Sequence, residues 1–66
     1  MPKSRSSREV ILALRHGGWV EVAQQGSHKQ FKHPSRPGRV TVPHPVKDLK
    51  PGTIASIEKQ AGIKLR

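Results

Sequence analysis

Residues 25–34, QGSHKQFKHP, carry the reading on which the fold turns. Gln25-Gly26-Ser27 is a turn signal, and His28–His33 then alternates as a strand does. Successive side chains of a strand point to opposite faces, so His28, Gln30 and Lys32 share one face. Lys29, Phe31 and His33 share the other. Phe31 is the only phenylalanine in the chain, and a small domain needs it inside. With Phe31 inward, His28, Gln30 and Lys32 face water.

Working outward, Trp19–Gln24 is aromatic and β-branched without a helical period, which predicts a strand. Pro34-Ser35-Arg36-Pro37-Gly38 predicts a turn, and Arg39–Val42 a third strand with Val40 and Val42 pointing one way. Short turns between successive strands give an antiparallel meander. Before it, Ser6-Ser7-Arg8-Glu9 reads as a capping box, with Val10, Ile11 and Leu14 as the apolar stripe of a helix that Gly17-Gly18 ends. After it, Pro43-His44-Pro45 cannot continue a ladder, and Val46–Lys50 crosses over. Pro51 suits the first turn of a second helix, Ile54, Ile57 and Ala61 mark its apolar face, and Gly62 caps it, with Ile63 folding back.

The fold class that follows is α+β: a two-layer α-β-β-β-α domain, a three-stranded antiparallel sheet with both helices on one face. This is the element order of double-stranded-RNA-binding domains. The expected core is Val10, Ile11, Leu14, Trp19, Val22, Phe31, Val40, Val42, Leu49, Ile54, Ile57 and Ala61, with the choice between Val20 and Val22 left open. Residues 1–5 read as a flexible basic N-terminus and residues 6–66 as a single domain.

Sixty-six residues with no cysteine allow neither a disulfide framework nor a thiolate metal cage. No stretch approaches the roughly 18 apolar residues of a membrane span, and no secretory leader is evident, so the cytoplasm is the expected compartment. Charge is the strong signal. Thirteen Lys and Arg against four Asp and Glu leave a net +9, and both halves of the chain share the excess. A domain this basic calls for a polyanion, nucleic acid ahead of a membrane, since the one tryptophan lies outside both predicted helices. With Trp19 and Phe31 both needed for packing, the sheet is a poor base-stacking platform, and phosphate contact by Lys and Arg is the expected mode. Lys47 and Lys50 suit either RNA phosphates or an acidic partner.

The run GWVEVAQQGSHKQFKHPSRPGRVTVPHPVKDLKPGTIASIEKQAG, residues 18–62, resembles the HicA family of toxins, mRNA interferases of bacterial and archaeal toxin–antitoxin pairs. Several elements coincide in order over residues 6–63: Gly18-Trp19, Gly26-Ser27-His28, Phe31 with His33-Pro34, Val40-Thr41-Val42-Pro43-His44, and the helix from Gly52-Thr53 to Gln60-Ala61-Gly62. Lys29 stands where many members carry a second histidine. The resemblance implies the fold reached above, a catalytic histidine at His28, mRNA as substrate, and a HicB-type antitoxin that covers the active face.

The residues suit that chemistry. RNA supplies its own nucleophile, the 2′-hydroxyl, so a ribonuclease need only move protons and stabilise charge on the phosphoryl oxygens. Histidine, with an ordinary pKa near 6.5, holds or gives a proton at neutral pH. Ser27, Lys29, Gln30 and Lys32 are the expected substrate-binding neighbours of His28. No cofactor is called for, and four scattered histidines with four carboxylates offer no good metal site. A histidine on a strand's solvent face is ordinarily surface decoration, and it is the resemblance that gives His28 a catalytic role. His16 suits the helix dipole. His33 reads as structural, and His44 as either a strand terminator or a helper. The alternative function is a non-catalytic RNA-binding module, or an inactive homologue, of the same fold.

Overall fold

The computed structural model describes residues 5–65, which run α1 (Ser7–His16), β1 (Val20–Gln25), β2 (His28–His33), β3 (Arg36–Pro43) and α2 (Pro51–Ala61). The strands pair antiparallel in the order β1-β2-β3, and the helices pack mainly against β3 on the Phe31 face. The expected two-layer architecture is the observed one.

Helix α1 starts where the sequence caps it. The Ser6 hydroxyl oxygen accepts from the Glu9 N–H at 3.2 Å, and Glu9 Oε1 accepts from the Ser6 N–H at 3.0 Å. This reciprocal box satisfies two amide donors that a helix end leaves open. Pro51 stands at the start of α2, where its missing N–H is not needed. Gly62 ends that helix in the left-handed conformation, at φ 69°. Residues 1–4 of the expected flexible N-terminus lie outside the described residues. Arg5 is tied down: its carbonyl accepts from the Leu49 N–H at 2.8 Å, bridging to the crossover.

Two-residue loops join the strands. Gln25 pairs with His28 across Gly26-Ser27, and Gly26 supplies the positive φ, 57°, at the first loop position. His33 pairs with Arg36 across Pro34-Ser35. The second turn is therefore shorter than the expected Pro34–Gly38. Arg36, Pro37 and Gly38 begin β3, which is tolerable because β3 is an edge strand and its register shifts opposite Phe31–His33.

The core holds the expected residues with one exception and one addition. Val22 is not in it: Val20 and Val22 are 58% and 49% exposed. Glu21 pairs opposite Phe31 and takes the inward position, and a bulge at Val22 then puts Ala23 opposite Gln30. Because the helices lie toward β3, the inner face of β1 meets charge rather than a hydrophobic layer. Leu65 joins the core, its N–H donating to Glu58 Oε2 at 2.7 Å as the tail folds back over α2.

His33 fastens the end of α1 to the sheet. Its Nδ1 accepts from the Ser35 N–H at 3.0 Å, which puts the proton on Nε2, and Nε2 then donates to the Gly17 carbonyl at 3.0 Å. Its ring meets the buried Trp19 edge-on, with centroids 5.3 Å apart. Gly18 lies directly beneath at φ 92°, and a Cβ there would stand 2.8 Å from His33 Nε2. Gly18→Ala is expected to lower stability by about 1–3 kcal/mol and the melting temperature by roughly 4 °C or more. Measured by thermal denaturation in a double-mutant cycle, the cost should shrink in a His33→Ala background, leaving only the backbone strain. Strictly additive effects would mean that the ring does not set the requirement for glycine.

Candidate functional site

The open face of the sheet is built by the register of β2. Phe31 is fully buried opposite Val40, so its neighbours Gln30 and Lys32 turn to the other face, and His28 with them. His28 is exposed at the start of the strand, paired with Gln25 on one side and Pro43 on the other. Among the described residues its imidazole has no protein hydrogen-bond partner, so both ring nitrogens are available to a ligand. The base of the residue is held firmly: the Ser27 carbonyl accepts from the His44 N–H at 2.6 Å, locking the first hairpin to the end of β3.

Gln30 sits opposite Thr41, and its Oε1 accepts from Arg39 Nη1 at 2.6 Å. The face therefore carries a histidine, an amide, and two exposed cations, Lys32 and Arg39, and among the described residues no carboxylate pairs with either. Sequence reasoning missed Arg39. The signal was present, since Val40 and Val42 pointing inward puts Arg39 and Thr41 outward beside Gln30.

Of the other expected site residues, Ser27 is exposed in the hairpin loop. Lys29 does not join His28. It stands opposite Val42 on the helix face, where its Nζ donates to both Glu21 carboxylate oxygens at 3.1–3.2 Å and to Gln24 Oε1 at 3.1 Å. Arg15 reaches the same carboxylate at 3.8 Å. This cluster closes the inner face of β1, the position a valine was expected to fill.

The remaining histidines separate by partner. His33 uses both ring nitrogens internally, as described above. His44 lies one residue beyond Pro43, the partner of His28, and alternation turns it to the helix face, where Nδ1 meets Ser7 Oγ at 2.6 Å. His28 and His44 thus stand at the same end of the sheet on opposite faces. Among the described residues no three His, Cys, Asp or Glu side chains cluster as metal ligands would. No described helix is long and apolar enough to cross a membrane.

Comparisons with known proteins agree with this architecture. The family model for the HicA toxin of bacterial toxin–antitoxin systems matches residues 7–63. Among solved structures, the chain is similar to one in a HicA3 and HicB3 toxin–antitoxin complex, at 30% identity and a TM-score of 0.85, over 94% of this chain and all of the other. No curated protein sequence matches significantly. A family model that matches residues 7–63, from α1 to beyond the end of α2, together with a solved structure of the same fold at 30% identity, means that the chain belongs to the HicA toxin family.

Proposed function

We propose that this toxin is an endoribonuclease that cleaves mRNA, with His28 as its proton-transfer residue. The observation that carries the reading is an exposed imidazole, without a hydrogen-bond partner among the described residues, on a sheet face that also presents the cations Lys32 and Arg39. A proton-transfer group must reach the substrate, and a solvent-facing strand position offers that without a lid.

The chemistry follows from RNA itself. The 2′-oxygen attacks the adjacent phosphorus and loses its proton, the bond to the 5′-oxygen breaks, and that oxygen takes up a proton. The products are a 2′,3′-cyclic phosphate and a 5′-hydroxyl, with no net change in atoms. His28 serves as base or acid in these steps. Lys32 and Arg39 lie on the same face, where they counter the charge that gathers on the phosphoryl oxygens. Gln30, fixed by Arg39, offers its amide N–H to the backbone, and Ser27 lies at the edge of the path. Lys29 contributes instead by holding β1 in register through Glu21.

A toxin of this kind requires restraint. The structural relative is a complex with HicB3, and an acidic HicB-type antitoxin suits the charge of this chain, since opposite potentials both steer and strengthen association. The partner would lie over the His28 face.

Incubated with a long RNA in EDTA, wild type should cut, and His28→Ala should lose about 10²–10⁴-fold in rate. Full activity in the variant would remove His28 from the mechanism. A 2′-deoxy nucleotide at the mapped cut site should abolish cutting there; cutting that persists would mean another nucleophile. The alternative, a non-catalytic RNA-binding module, is separated by expression in cells: growth arrest should disappear with His28→Ala, and equal arrest by the variant would favour binding alone. Copurification from the native operon should yield a near-equimolar complex with an acidic protein, and a lone monomer would contradict the partner.

A further inference from the structure

A second cationic feature lies on the other side of the sheet. An open pocket between α1, the inner face of β2 and the segment after β3 is lined by Arg8, Ile11, Leu12, Arg15, Lys29 and His44. It exists because the helices pack toward β3 and leave this flank uncovered. Arg8, Leu12 and Arg15 recur at i, i+4 and i+7, so one stripe of α1 faces the groove. Arg8 and Arg15 are two turns apart, about 10 Å along the helix axis.

The charges here are only partly compensated. Among the described residues Glu21 is the carboxylate that pairs with the lining cations, and it serves Lys29 and Arg15 together. Arg8 is exposed and has no partner among the described residues. His44 adds a directed donor. Buried Ser7 Oγ accepts from the Val46 N–H at 2.9 Å, so its own hydroxyl proton needs an acceptor, and His44 Nδ1 at 2.6 Å is that acceptor. The proton of the neutral ring is then on Nε2, which has no partner among the described residues, on a residue that lines the pocket. Leu12, 48% exposed, and Ile11 supply an apolar wall beside these donors.

Two arginines, a lysine and an imidazole N–H around an apolar wall match a phosphodiester with its attached sugar or base. We infer that this pocket binds the RNA backbone at phosphates flanking the cut site, the strand passing around the end of the sheet where His28 and His44 stand on opposite faces. Arg8 and Arg15 hold the phosphates, His44 donates from Nε2, and Leu12 packs on the nucleoside. The inference rests on the RNA reading above and adds a second surface to it.

The test uses a single-stranded 2′-O-methyl oligoribonucleotide, which lacks the nucleophile and cannot be cut by this route. Binding to the full chain is measured over a range of salt concentrations. Arg8→Ala with Arg15→Ala should weaken binding roughly tenfold and flatten the dependence of log K on log salt by about 1.4, since each phosphate neutralised on a single strand contributes about 0.7. Both side chains are exposed, and a thermal melt checks that the double variant is folded. In the wild type, the His44 Nε2 resonance should shift on adding the oligonucleotide, and it should do so equally in His28→Ala. Unchanged affinity and slope in the double variant would overturn the inference. So would a double variant that loses affinity for polyglutamate and keeps it for RNA, because the pocket would then belong to an acidic protein. Cleavage of unmodified RNA is read separately: a wild type that binds through the pocket yet never cuts would refute the nuclease reading and leave the pocket standing.

Discussion

Burial of Phe31 between Val40 and the helices is the constraint on which the rest depends. Its ring is fully enclosed, and truncating such a residue ordinarily costs about 3–5 kcal/mol. For a domain whose whole stability is on the order of 5–15 kcal/mol, that is a large share. Because side chains alternate along a strand, slipping β2 by one residue would expose Phe31 and bury His28. The packing of one aromatic ring thereby decides which way the imidazole looks, and a core residue sets the chemistry of the opposite face.

The same register sorts the charges. Three of the four acidic side chains are engaged within the fold: Glu9 in the capping box and with Arg5, Glu21 with Lys29 and Arg15, Glu58 with the Leu65 amide. Carboxylates committed to internal structure cannot neutralise the outward cations. Among the described residues, the cations without an ion-pair partner include Lys32 and Arg39 on the His28 face and Arg8 over the groove. The chain as a whole carries a net +9, and a field of that sign raises the concentration of a polyanion near its surface.

Much of this was legible in the sequence because the signals are local. The capping box at Ser6 and Glu9, Pro51 and Gly62 at the ends of α2, and the alternation around Phe31 each rest on a few neighbouring residues. What was not legible depended on how elements pack. Both valines of β1 face water because Glu21 takes the inward position opposite Phe31 and a bulge follows at Val22, and nothing in VEVA reveals that register. The role of Pro37 and Gly38 inside an edge strand was hidden by turn chemistry that usually breaks strands. Lys29 has the composition of a substrate contact, yet Glu21, eight residues away, claims it. The pairing of His44 with Ser7 joins residues 37 positions apart in the sequence, beyond the reach of any local pattern.

The most direct test of the central claim joins the geometry of the open face to its chemistry. Diethyl pyrocarbonate modifies accessible imidazoles, and mass spectrometry resolves the extent of reaction at each of the four histidines while RNA cleavage is assayed on the same samples. Loss of cleavage in step with modification of His28, slowed by bound 2′-O-methyl RNA, is the expected result. Cleavage that continues undiminished after His28 is fully modified would contradict it.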